Sequence, residues 1–172
     1  MFPTLARMAS TSTPATKLLL RENVTHRVHE YLHDPRAGSF GSEAVEMLGQ
    51  RLGVVPAQIF KTLVIKLSDG KLAVAVIPVP ATLSLKAAAA ALGGGKAVMA
   101  ERSDAERATG YVLGGISPLG QRSRLRTAVD ASAQQWDRVL CSAGRRGLEI
   151  ELAPADLVRL AGAVVAPITT GA

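Results

Sequence analysis

The chain has 172 residues, 48% hydrophobic but only 3% aromatic, with a formal charge of +6. That length suits a single domain around one core of Ala, Val, Leu and Ile, and so few rings argue against a surface that stacks several bases. The basic balance favours an anionic partner, since binding a polyanion releases counterions, with a plain solvated basic surface as the competing reading.

Residues 1–12 read as a frayed extension without the apolar stretch of a signal peptide, and residues 13–170 as the domain. No later run reaches the length of a membrane span, so no membrane partner is expected. Thr13 and Pro14 open a helix that Asn23 stops, and Val24 to Tyr31 alternate as a strand with no clean apolar face, the pattern of an edge or a cleft wall. The loop from His33 to Gly41 carries one large apolar side chain, Phe40. Ser42 is the expected cap of the next helix, which ends at Gly49 to Gly53.

The run Gln58 to Lys66 is a strand with an ammonium, Lys61, and a hydroxyl, Thr62, set among apolar residues. Burying a lysine there is costly without an anion to meet it. Ser68-Asp69-Gly70 closes a hairpin onto Lys71 to Pro78, and both strands are apolar enough to be central. A helix follows from Thr82 through the alanine run to Gly93-Gly94-Gly95, a glycine triplet that lacks the Lys-Ser/Thr of a phosphate-binding loop and reads as a helix end. Lys96 to Met99 is a short strand, and Ser103 is the expected cap of a helix that stops at Gly110.

Thr109 to Gly120 is a glycine-rich loop containing Gly115, Ser117 and Pro118, where backbone amides can come close to a ligand. Leu125 to Asp130 forms a strand and Ala131 to Trp136 a short helix or turn. Arg138 to Ser142 and Leu148 to Leu152 pair across Gly144-Arg145-Arg146-Gly147, Pro154 starts a last helix, and Val164 to Ile168 close the chain. The fold class is therefore α/β (α+β): a mixed, mostly antiparallel sheet or partial barrel surrounded by helices.

Chemistry by residue type is sparse. The one cysteine, Cys141, excludes an intrachain disulfide and sits among strand residues as a buried thiol. His26, His29 and His33 lie too close together for the spaced ligand pairs of a zinc site, so no metal and no cofactor are expected. Arg122, Arg124, Arg126, Arg145 and Arg146 are candidates for phosphate contact.

Thr13-Pro14-Ala15, Phe60-Lys61-Thr62-Leu63, Thr109-Gly110-Tyr111 leading into Gly114 to Gly120, and Ser142 to Gly147 together resemble the YbaK/EbsC family of Cys-tRNA(Pro) deacylases, relatives of the prolyl-tRNA synthetase editing domain. The likeness runs from about Thr13 to Ile168. It implies a cytoplasmic hydrolase that cleaves, in trans, the ester of proline tRNA charged with cysteine, with the substrate's own thiol attacking its carbonyl and a cyclic thiolactone released. Prolyl-tRNA synthetase is an implied partner. Carried over residue by residue, Lys61 and Gly115 take the catalytic places, while Tyr31, Phe40, Thr62, Ser117, Ser142 and Glu149 take the substrate-binding ones. The likeness departs where relatives often carry Asp at Glu149 and Gly at Ala143, which bears on amino-acid preference. A deacylase for another small aminoacyl group such as Ala, and a non-catalytic module that binds tRNA or synthetase, are the alternatives.

Overall fold

The computed structural model describes residues 11–34, 36 and 40–171, apart from the side chain of Phe40. Most of the expected extension at residues 1–12 thus lies outside the described part.

Helix α1 (Pro14–Arg21) is capped by Thr13, whose hydroxyl oxygen accepts from the Thr16 N–H while the Thr16 hydroxyl oxygen accepts from the Thr13 N–H. The Thr13 hydroxyl also donates to the carbonyl of Ala143 at 2.5 Å, tying the start of the domain to a distant strand. Asn23 takes the left-handed conformation (φ 54°) that ends the helix, and the Val24 amide folds back onto the Leu19 carbonyl. Val24 is thus spent on the helix end, so strand β1 runs from His26–Glu30 rather than from Val24.

Next come helix α2 (Phe40–Leu52), a single 3-10 turn (Pro56–Gln58) and the hairpin of β2 (Phe60–Leu67) and β3 (Leu72–Pro78). Helix α3 (Leu85–Ala91) is capped by Ser84, two residues beyond the expected start at Thr82. Strand β4 (Ala97–Met99), helix α4 (Arg102–Thr109) and strand β5 (Arg126–Asp130) follow. A 3-10 turn (Ala131–Gln135) leads to β6 (Val139–Arg145), β7 (Leu148–Leu152), helix α5 (Pro154–Ala161) and β8 (Val164–Ala166).

Neither Ser42 nor Ser103 is a cap. Helix α2 already begins at Phe40, and α4 is entered from Glu101, whose carbonyl accepts from Ala105. Strand β8 stops short of Ile168 because Pro167 has no N–H for the ladder, and the Ile168 amide goes to the Asp130 carboxylate at 2.9 Å.

The strands form two sheets, in the orders β1-β7-β6 and β4-β2-β3-β5-β8. The pairs β3–β5 and β5–β8 are parallel and the others antiparallel, so the sheet is mixed and mostly antiparallel, as expected. A lone parallel bridge between Ile59 and Leu140 joins the two sheets, which do not close into a barrel among the described residues. Strand β1 lies at an edge and β3 is buried from Ala73 to Pro78, both as its sequence indicates. The larger core packs α1 and α5 against β6, β7 and inward residues of β3 and β5; a second core packs α3 onto the opposite face of the five-stranded sheet.

Candidate active site

Strand β2 pairs with β3 over Phe60–Lys66, but β4 covers its other side only from Ile65 to Leu67. Its first half therefore borders open space, and a cavity of about 310 Å³ opens there. Lys61, Thr62 and Leu63 form one wall, Gly114 and Ile116 of the glycine-rich loop a second, and Ser142 and Glu149 of the β6–β7 pair a third. Gly41, Ala44 and Val79 complete it with apolar surface. That volume and mixed lining are typical of a small-ligand pocket.

The polar groups in this hollow are under-used by the protein. Glu149 is only 7% exposed, and its Oε2 is buried without a hydrogen-bond partner. Burial pushes its carboxyl up to about 8. The hydroxyl oxygen of Thr62 is likewise buried and unpartnered. Groups like these are rare in folded proteins, and two on one cavity mark a place where a ligand supplies the missing partners. The Ser142 oxygen accepts from the Gly144 amide at 3.1 Å. Lys61 has no carboxylate within 4.0 Å among the described residues, and partial burial lowers the pKa of its amine.

The glycine-rich loop is held main chain against main chain. Gly115 passes so near the β6–β7 turn that a Cβ there would sit 2.9 Å from the Arg146 nitrogen and 3.0 Å from the Arg145 Cα. Its amide donates to the Val112 carbonyl at 2.8 Å. The family likeness gives Gly115 a catalytic place, with its amide expected toward the substrate carbonyl; the structure spends that amide inside the loop and makes Gly115 a close-passage residue. The neighbouring amides of Gly114 (φ 89°) and Ile116 have no protein acceptor among the described residues, and both residues line the cavity. Arg146 fixes the lip by donating from Nε and Nη2 to the Leu113 carbonyl at 2.9 and 2.7 Å, and the Tyr111 hydroxyl donates to the Leu119 carbonyl at 2.6 Å.

Of the sequence-derived site residues, Lys61, Thr62, Ser142 and Glu149 come together on the cavity. Ser117 does not: it is fully buried, and its hydroxyl oxygen accepts from the Leu119 amide at 3.2 Å, shaping the loop from behind. Tyr31 packs with Ala44, Leu48, Ile59 and Leu140 rather than lining the hollow, and burial, then the carboxyls of Glu149 and Glu43, push its hydroxyl pKa up. Phe40 opens α2, but its side chain lies outside the described residues. The sequence offers the amides of this bend as a group without singling out Gly114 and Ile116, although a Gly-Gly pair is itself a signal of backbone exposed at positive φ.

Two other chemistries lack equipment here. Cys141 has no exposed surface and burial raises its thiol well above the ordinary value, so it offers no ready thiolate. Among the described residues no cluster of three or more His, Cys, Asp or Glu side chains is placed to hold a metal ion.

With this geometry in view, the chain belongs to the aminoacyl-tRNA editing domain family, whose profile matches residues 41–160. It is 36% identical over 158 residues, 92% of this chain and 93% of the relative, to an Enterococcus faecalis protein provisionally named Cys-tRNA(Pro)/Cys-tRNA(Cys) deacylase EbsC. Its fold matches a crystal structure provisionally described as a trans-editing enzyme for prolyl-tRNA synthetase, with a TM-score of 0.77 at 24% identity over 93% of this chain and 99% of the other.

Proposed function

We propose that the protein is a trans-editing aminoacyl-tRNA deacylase that removes cysteine from mischarged Cys-tRNA(Pro), with the cavity between β2, the glycine-rich loop and β6–β7 as its active site. One observation carries this reading. A family whose members edit aminoacyl-tRNA here has a small hollow in which a cation, two free main-chain amides and two unpartnered polar side chains converge.

An aminoacyl ester is already activated, so placement and polarisation suffice for its cleavage. In the proposed step the substrate's thiol sulfur bonds to its own carbonyl carbon, and the bond from that carbon to the ribose oxygen breaks. The ribose oxygen takes the thiol's proton, leaving free tRNA and a cyclic thiolactone. The amides of Gly114 and Ile116 hold the negative charge that develops on the carbonyl oxygen, and Lys61 holds the phosphate or ester end as a point charge. Glu149, drawn into its carboxylate form by the substrate's ammonium, fixes the amino group together with the hydroxyls of Thr62 and Ser142. The relative's name supports cysteine on proline tRNA; prolyl-tRNA synthetase as a partner and the cytoplasm as the setting belong to the same proposal.

The test is ester loss from Cys-, Ala- and Pro-charged tRNA(Pro), with wild type and Lys61→Ala. Turnover should favour the Cys ester, and the variant should lose roughly 100-fold or more in kcat/KM, the scale of one lost electrostatic contact to a transition state. Binding of tRNA without turnover by the wild type would leave a recognition module and refute the enzyme.

A further inference from the structure

A second surface, away from the cavity, is strongly basic. Three adjoining hollows of about 300, 420 and 470 Å³ share Ser123, Arg124, Leu125, Leu72 and Ala108 along their borders, so they form one continuous groove. Six cations line it: Lys66, Lys71, Arg107, Arg122, Arg124 and Arg126. Carboxylates answer only two of them. Arg126 pairs with Asp69 at 2.9 Å, and Arg107 approaches Asp104 at 3.9 Å. Lys66, Lys71, Arg122 and Arg124 have no carboxylate within 4.0 Å among the described residues, and all four are exposed.

The groove and the cavity share their framing elements. Strand β2 carries Thr62 at the cavity and Lys66 at the groove, four residues on and on the same face of the sheet, a rise of roughly 13 Å. The loop that supplies Gly114 and Ile116 to the cavity continues through Pro118 and Gly120 into the groove wall. A polyanion whose terminus is held in the cavity, with its backbone leaving along β2, therefore meets a row of unpaired cations.

We infer that the groove of Lys66, Lys71, Arg122 and Arg124 binds the phosphate backbone of the acceptor stem while the aminoacylated 3′ end enters the cavity. The inference rests on the deacylase reading for the identity of the RNA. Unpaired, exposed cations along a groove gain from counterion release, and the contacts are blind to sequence.

Binding of uncharged tRNA(Pro) is measured at several salt concentrations for wild type, Arg122→Ala/Arg124→Ala and Lys71→Gln, each checked for an unchanged melting temperature. The double variant should bind roughly tenfold more weakly, with a salt slope shallower by about 1 to 2. It should still cleave a cysteinylated CCA trinucleotide at the wild-type rate, because that substrate does not reach the groove. Wild-type affinity and slope in the double variant would overturn the inference, as would equal losses on the trinucleotide. So would a variant that binds tRNA normally but loses prolyl-tRNA synthetase. A wild type that binds tRNA through the groove yet cleaves no ester would refute the deacylase reading and spare this one; a Lys71→Gln variant with unchanged binding would remove Lys71 from the groove.

Discussion

Replacing Glu149 with glutamine should shift the balance of stability progressively toward the variant as pH rises. An unconstrained glutamate releases its proton near 4.5, but burial moves this one to about 8. Between those values the native state keeps a proton that the unfolded chain has lost, so stability is fully present below the lower value and is lost as pH climbs toward the upper. At about 1.4 kcal/mol per pH unit, the wild type gives up roughly 3 kcal/mol to this group between pH 5 and pH 8. The variant never ionises and escapes that loss, although its amide leaves polar atoms unpaired at a pH-independent cost of about 1–3 kcal/mol. Melting curves at pH 5, 6, 7 and 8 should therefore show the gap in Tm between variant and wild type moving by about 6–12 °C in the variant's favour. Deacylation should fall, because the substrate's ammonium loses its carboxylate. Two curves that stay parallel across the range would mean that Glu149 is ionised in the fold and solvated, and the account of the cavity would fail with it.

Gly115→Ala forces a methyl group against the main chain of Arg145 and Arg146. It should cost about 1–3 kcal/mol in a thermal melt and, by shifting Gly114 and Ile116, lower kcat by about 100-fold; unchanged kinetics would remove the loop from the site. Tyr111→Phe strips the buried Leu119 carbonyl of its donor and should destabilise by about 1–3 kcal/mol in denaturant melts, with little effect on KM.

The frame of this site was more legible in the sequence than its working atoms. A lysine and a threonine inside an apolar run, a glycine-rich loop with a proline, and a basic hairpin turn are local patterns, and the cavity lies between the first two and Ser142 and Glu149, which flank the third. Which atom of a loop faces a ligand is not a local property. The Gly115 amide is consumed by Val112 in a four-residue turn with Gly114 at φ 89°, and what that turn then presents to the cavity depends on the β6–β7 turn, which passes too close to Gly115 to admit a side chain. Ser117 and Tyr31 share the same history: each lies next to cavity residues in sequence or space, yet packing turns its side chain elsewhere. The burial of Glu149 was equally hidden, since alternation along Leu148 to Leu152 assigns it to one face but not to what covers that face. Ser42 and Ser103 are not caps because the helices begin at Phe40 and Arg102, which leaves both serines inside the first turn.

Main chain pressing on main chain at Gly115, and Arg146 clasping the Leu113 carbonyl, hold the walls of the hollow apart, with the Ser142 hydroxyl oxygen bracing the Gly144 amide. Architecture and appetite are thereby separated at Thr62 and Glu149, whose buried Oγ1 and Oε2 atoms brace nothing in the walls.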